Sequence, residues 1–265
     1  MSVKSCRVII PLVLLVLLLL LSAGTANAEE LHPPAKVVLA TGEWRPYVSP
    51  DLEDGGIVCR IIREAFSLSG IEVEFRPMPW ARALEQSKNG TIDGVAAWGG
   101  WRTWASTHLG SDPLFQGDLV LWQRADRKPL DYESTGATKG LRLGNHMGES
   151  LPCQFLKAYE QGDVELLQVS SYQTLLDLLF KGRIDAVICN RRVFLSAIKE
   201  SGNMVYSSAF APHPKPLRTS LYRVIFSKHT SYAYQLWQAF NTALFQMRES
   251  GRLRTMLHEL DDSLR

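Results

Sequence analysis

The spacing of apolar residues changes several times along the chain, and each change marks an element. Residues 36–41 (KVVLAT) form a short continuous apolar run, as expected of a strand covered on both faces. Residues 56–68 then place Ile57, Ile61, Ala65 and Phe66 on one face of a helix. Ile71, Val73 and Phe75 alternate like a half-buried strand. Pro77 and Pro79 follow, and a helix predicted from about Trp80 stops at Asn89-Gly90. An apolar strand ending near Ala97 completes the series.

The same series recurs. Without a gap, residues 70–98 align with residues 162–190 at a constant offset of 92 positions. Gly70 meets Gly162, Leu84 meets Leu176 and Gly90 meets Gly182, followed by the pairs Ile92/Ile184, Asp93/Asp185 and Val95/Val187. Trp80 falls opposite Tyr172. A strand, a crossover helix and a second strand imply parallel pairing, and two copies imply two similar α/β lobes. A strand at 141–144 and a helix at 148–159 precede the second copy, as 36–41 and 56–68 precede the first. The extended stretches 118–124 and 221–227 are read as two crossings between lobes, and a helix over 234–249 with a short one after Gly251 closes the chain. A single doubly wound domain is the alternative. Two lobes are preferred because strand-helix pairs flank a central stretch, 126–140, that reads as surface loop.

The amino terminus sets the compartment. Lys4 and Arg7 precede an apolar run at 8–21, and small residues lead to Ala26-Asn27-Ala28, so 1–28 reads as a signal peptide cut after Ala28. The run is shorter than the roughly 20 apolar residues that span a bilayer. The expected lobes are 29–117, 118–217 and a return over 218–265, in a periplasmic protein. Removing Lys4 and Arg7 takes the formal charge from +2 to 0, which leaves no electrostatic footprint for nucleic acid. Three cysteines then remain, so at least one is unpaired in an oxidising compartment. Cys153 and Cys189 lie in the same half and are the candidate disulfide, whereas Cys59 falls in an apolar helix pattern and reads as a buried thiol.

Ligands of open parallel sheets sit beyond the carboxyl ends of the strands. Trp44, Tyr47, Trp80 and Trp98 all follow predicted strands there, offering flat faces for a small solute. Glu43 is beside them. Arg102 follows Trp98-Gly99-Gly100-Trp101 and suits a carboxylate, while Gly148-Glu149-Ser150 is read as opening a helix whose amide donors favour an anion. Asn190 ends the last strand of the second copy. The six histidines lack metal-ligand spacing, no serine elbow is present, and neither cofactor nor catalytic residue is expected.

The order and spacing of several motifs resemble the type II periplasmic solute-binding proteins of ABC transporters, the extracellular solute-binding family 3 that includes amino-acid binders. They are Trp44-Arg45-Pro46-Tyr47, Trp80 at a helix start, Gly90-Thr91-Ile92-Asp93-Gly94, Arg102, Ser111-Asp112-Pro113-Leu114-Phe115, Gly182-Arg183-Ile184-Asp185-Ala186-Val187 and a closing Met247-Arg248-Glu249-Ser250-Gly251-Arg252-Leu253. The resemblance implies a two-lobed α/β fold with two hinge crossings. It also implies a monomeric binder of a small polar solute, an amino acid or related carboxylate or amine, that closes on its ligand and hands it to an inner-membrane permease. By the same resemblance Trp44 and Trp80 would enclose the ligand, Arg102 would hold its carboxylate, and the segment near Gly148 would complete that site. The family usually has aspartate where this chain has Asn190, and hydroxyl residues where Ala97, Trp98, Gly99 and Gly100 stand. An amide offers no charge to an ammonium, so Glu43 or Glu149 would have to supply it. Related domains also serve as sensors that present ligand to a membrane receptor. A few related proteins resemble dehydratases, for which His146 and Glu149 would be the acid–base pair.

Overall fold

A computed structural model describes residues 33–265 apart from 135, 148 and 150, and it describes Trp101 through its backbone only. The expected signal segment lies outside the described residues, as do Gly148 and Ser150. Ten strands form one sheet in the order β2-β1-β3-β10-β5-β8-β6-β7, with β4 paired to β10 and β9 to β5.

The first half contains β1 (Lys36–Thr41), β2 (Glu72–Pro77) and β3 (Gly94–Trp98), with β1 parallel to both of the others. The second contains β6 (Leu141–His146), β7 (Val164–Val169) and β8 (Ala186–Asn190), with β6 parallel to both. Helix α1 (Ile57–Ser67) buries Ile57, Ile61, Ala65 and Phe66 as expected. The crossover helices are α2 (Trp80–Lys88) and α4 (Tyr172–Phe180). Every element of the repeat therefore starts 92 positions after its counterpart. The aspartates of the repeat do equivalent work. Val38 N donates to Asp93 Oδ2 at 2.7 Å, and Arg142 N donates to Asp185 Oδ2 at 2.9 Å, so each carboxylate clasps the central strand of its half.

Residue alternation explains why β1 and β8 are apolar over most of their length. Val37 and Leu39 of β1 enter the main core, while Ala40 packs with Ala83, Ile92, Val95 and Ile225 on the other face. In β8, Val187 and Cys189 face the main core, and Ala186 and Ile188 pack with Phe155 and Leu143. Strands covered on both faces need no polar positions.

The halves meet at two long strands, β5 (Phe115–Arg124) and β10 (Arg218–Ser227). Phe115–Leu119 pairs antiparallel with Arg218–Tyr222, after which β5 runs on beside β8 and β10 runs on beside β3. The two crossings thus exist, and the paired segment overlaps the first two residues of each stretch expected from sequence, 118–124 and 221–227, whose remainders run on beside β8 and β3. One further expectation is corrected. The helix anticipated at 148–159 is α3 (Cys153–Glu160), with Pro152 as its N-cap. Proline suits a helix start and disfavours helical geometry in the residue before it, so Leu151 falls outside the helix.

The remaining helices are α5 (Arg191–Glu200), α6 (Tyr206–Ala209), α7 (Ala233–Glu249) and α8 (Arg252–Ser263). Gly251, at φ 77°, makes the break between the last two. Among the described residues no helix is long and apolar enough to cross a membrane.

Candidate functional site

A cavity of about 810 Å³ opens where the carboxyl ends of the parallel strands converge on the crossing strands. From the first half it is lined by Glu43 and Trp44 after β1, Trp80 at the start of α2, and Trp98 at the end of β3. From the second half come His146 at the end of β6, Glu149, Tyr172 at the start of α4, and Asn190 at the end of β8. Arg218 and Tyr222 of β10 close the side between them.

Bare backbone positions the aromatic walls. A Cβ on Gly42 would stand 2.2 Å from Trp80 Cε2, so the indole lies directly on the chain, and its Nε1 donates to the Glu43 carbonyl at 3.3 Å. Trp98 meets Trp80 edge-on with ring centroids 5.8 Å apart. Trp44 packs at 4.3 Å from Tyr47 and 4.7 Å from Tyr222, which itself stacks on Phe115. Ala97, buried at the cavity wall, has φ 57°, a left-handed conformation that costs a non-glycine residue about 1–2 kcal/mol. Such strain concentrates at functional sites.

Two expected contacts take other roles. Tyr47 is fully buried and does not line the cavity. Its hydroxyl donates to Asn190 Oδ1 at 3.1 Å. The same oxygen accepts from Arg192 N at 3.0 Å and Val193 N at 3.4 Å, so Asn190 caps α5 and ties it to the first half. Arg102 is exposed and is not among the residues that line the cavity. Gly100, at φ 61°, turns the chain after β3 into a short 3-10 helix, Trp101–Trp104, that carries Arg102. The carboxylate site expected at Arg102 is therefore not assembled here. Of the anion site expected at Gly148-Glu149-Ser150, only Glu149 is among the described residues, and it stands ahead of α3, which starts at Cys153. The anticipated disulfide is also absent: Cys153 is exposed at the first turn of α3, whereas Cys189 is fully buried in β8, and both are free.

Electrostatically, Glu43 is paired with Arg45 at 3.2 Å and accepts from Ser49 Oγ at 2.7 Å. Glu149 Oε1 accepts from the Tyr172 hydroxyl at 2.7 Å. Burial holds the Glu149 carboxyl above its ordinary range, against the Tyr172 bond and the positive potential of His146 and Arg218. Burial likewise pushes the Tyr172 and Tyr222 hydroxyls up. His146 stacks on Tyr172 at 4.4 Å, with its ring nitrogens facing the Met147 and Ser170 carbonyls. That engagement leaves it poorly placed as the acid–base partner of Glu149.

Tyr222 and Arg218 were not singled out by sequence reasoning. They reach the cavity from a crossing strand, and only the antiparallel pairing of β10 with β5 brings them there.

Two lobes of repeated α/β build, joined by two crossing strands with a cleft at the strand ends, define the periplasmic binding protein type II fold. Solved structures with that fold resemble the chain over most of its length. An ancestral arginine-binding protein bound to arginine is 20% identical with a TM-score of 0.66, over 86% of this chain and 99% of that one. A histidine kinase sensor domain with similarity to periplasmic binding proteins is 17% identical with a TM-score of 0.66, over 84% and 95%. An amino acid ABC transporter substrate-binding protein from Streptococcus pneumoniae, bound to L-arginine, is 19% identical with a TM-score of 0.62, over 87% and 96%. No protein-family model and no curated protein matches the chain. At these identities the likeness establishes the fold.

Proposed function

We propose that the chain is a periplasmic solute-binding protein that captures a small polar solute, an amino acid or related carboxylate or amine, and delivers it to an ABC transporter permease. In this reading residues 1–28 are a removed signal, lobe 1 comprises 29–117 and 218–265, lobe 2 comprises 118–217, and the protein works as a monomer. The observation that carries it is the cavity of about 810 Å³, with walls supplied by both halves of the sheet and floored by the only two strands that join them among the described residues. A solute touching both walls stabilises whichever lobe angle makes both contacts at once, so binding and hinge closure are one equilibrium. The permease would then recognise the closed shape. Aromatic walls with a few polar groups suit binding better than acid–base chemistry.

The test is a thermal-stability screen of amino acids, amines and small organic acids, followed by calorimetry. A true ligand at a hundred times its Kd stabilises the folded state by about 2.7 kcal/mol and is recovered unchanged. A screen in which no solute raises the midpoint, or one in which the solute is consumed, refutes the reading. A second reading, a free-standing sensor that presents ligand to a membrane receptor, is favoured by the histidine kinase sensor domain, which has the same TM-score as the arginine-binding protein. Deleting the gene separates the two, because loss of the transport component abolishes uptake and loss of a sensor abolishes only a response.

A further inference from the structure

Among the charged groups of the cleft, Glu149 is bound on one side only. Tyr172 holds Oε1, while Oε2 is buried and has no hydrogen-bond partner among the described residues. A buried carboxylate oxygen without a donor is costly, and an occupant that brings N–H groups removes that cost. The carboxylate is also held in place from behind. Tyr172 opens α4, and its ring stacks on His146 at 4.4 Å and 15°.

The surroundings favour positive charge. Trp44, Trp80, Trp98 and Tyr222 line the same cavity, and the faces of such rings attract cations. Three carboxylates, Glu43, Glu149 and Glu200, stand against two guanidinium groups, Arg45 and Arg218. Glu43 is paired with Arg45, which leaves Glu149 and Glu200 as the remaining carboxylates of the lining and Arg218 as its remaining guanidinium. Arg102, the expected carboxylate partner, lies outside the cavity.

Resting on the solute-binding reading above, we propose that this cleft takes an organic cation, an amine or guanidinium, whose N–H groups complete Glu149 Oε2 and whose charge lies among the indoles. An α-carboxylate on the ligand is not required. The alternative chemistry is a neutral Glu149 that donates its proton to a ligand carboxylate, and the two differ in the sign of their pH dependence. Burial already biases Glu149 toward its neutral form, with His146 from β6, Tyr172 from α4, Cys189 from β8, and Arg218 and Tyr222 from β10 as the titratable or charged groups around it. A cation binds the ionised form, so its affinity rises as pH rises through the Glu149 titration. A carboxylate ligand shows the reverse.

The experiment is calorimetry on the full chain with agmatine, which carries a guanidinium and an amine without a carboxylate, alongside arginine and succinate, at pH 5.5 and pH 8. Agmatine is expected to bind more tightly at the higher pH, the direction set by the raised Glu149 carboxyl. Glu149→Gln is expected to weaken it at least tenfold and to flatten the pH dependence, and any slope that remains belongs to other groups. Tyr172→Phe, a milder change that frees Oε1, gives a smaller loss and keeps the test decisive if Glu149→Gln folds poorly. Binding of succinate without agmatine, agmatine affinity that survives Glu149→Gln, or affinity that falls with pH overturns the inference. If some other solute of the wider screen binds while agmatine does not, the cation assignment fails and the solute-binding reading stands. If nothing in that screen binds, both fail.

Discussion

Replacing Asp261 by asparagine should show how firmly the carboxy-terminal helix α8 braces the second half of the molecule. Arg192, at the start of α5, donates from Nε to Asp261 Oδ1 at 2.5 Å and from Nη2 to Oδ2 at 3.0 Å, and its Nη1 donates to the Gln116 carbonyl at 3.0 Å. The side chains are 22% and 39% exposed, so this pair lies between an open surface bridge and a buried one. Open bridges contribute about 0.2–1 kcal/mol, and breaking a buried pair costs about 3–5 kcal/mol. Discounted for solvent screening, Asp261→Asn should cost about 1–2 kcal/mol. At about 2–4 °C per kcal/mol for a chain of this size, that is a fall of about 2–8 °C in Tm at pH 7. The sign of the pH dependence follows from the same bond. The Arg192 hydrogen bonds hold the Asp261 carboxyl below its usual range in the folded state. Its contribution is therefore complete above the unfolded value of about 3.9, and it is lost as pH falls through the lower folded value. Calorimetric scans of both proteins from pH 7 to pH 2 should show a gap that is constant down to about pH 4 and then closes. Equal Tm values at pH 7, or a gap that persists unchanged at pH 2, would refute the reasoning.

Gly117→Ala should destabilise by about 1–3 kcal/mol as an overpacked site does, because the new Cβ would stand 2.7 Å from Asn190 Nδ2 and 2.9 Å from Tyr222 Cε2 at the crossing. Chemical denaturation measures that loss, and an unchanged midpoint would mean that β5 moves freely there. Arg102→Ala should leave solute affinity within about twofold, since surface changes of this kind stay within about 0.5 kcal/mol. A tenfold loss by calorimetry would return the residue to the site. Asn190→Asp keeps an acceptor for Tyr47 and for the α5 amides while adding charge to the cleft, so affinity for amines should rise several-fold without loss of the helix cap. Titration with a thiol reagent should find Cys153 in the native protein, and Cys59 and Cys189 only after denaturation. The latter two are buried, and burial pushes the Cys59 thiol up to about 12.

The architecture was legible because it depends on local signals written twice. Gly70, Gly90, Gly162 and Gly182 all adopt positive φ at the ends of elements, where glycine is the residue that fits. Asp93 and Asp185 recur at the heads of β3 and β8 because each must clasp a central strand. The three tryptophans expected in the cleft, Trp44, Trp80 and Trp98, line it, since the residues after parallel strands must face the open end of the sheet. The failures share a cause of the opposite kind. Arg102 was placed by counting from β3, but a left-handed Gly100 redirects the chain. Glu149 was placed at a helix start that Pro152 moves onward. Asn190, followed by two arginines at a helix start, carried a capping signal that was read only as a cleft position.

What the sequence could not disclose is the set of residues that come from far away in the chain. Tyr222 and Arg218 line the cavity because the start of β10 pairs with Phe115–Leu119, about a hundred residues earlier. Tyr47 reaches Asn190 across 143 positions. These contacts lie on the seam between the halves, which no periodicity within either half describes. They also decide what the cleft can hold. Asn190 Oδ1 is occupied by Tyr47 and the α5 amides, and Arg102 is exposed and not among the residues that line the cavity. Among the described residues of the cleft, Glu149 keeps a buried carboxylate oxygen without a hydrogen-bond partner, and the selectivity proposed for this molecule therefore follows from how the seam is packed more than from the repeated units it joins.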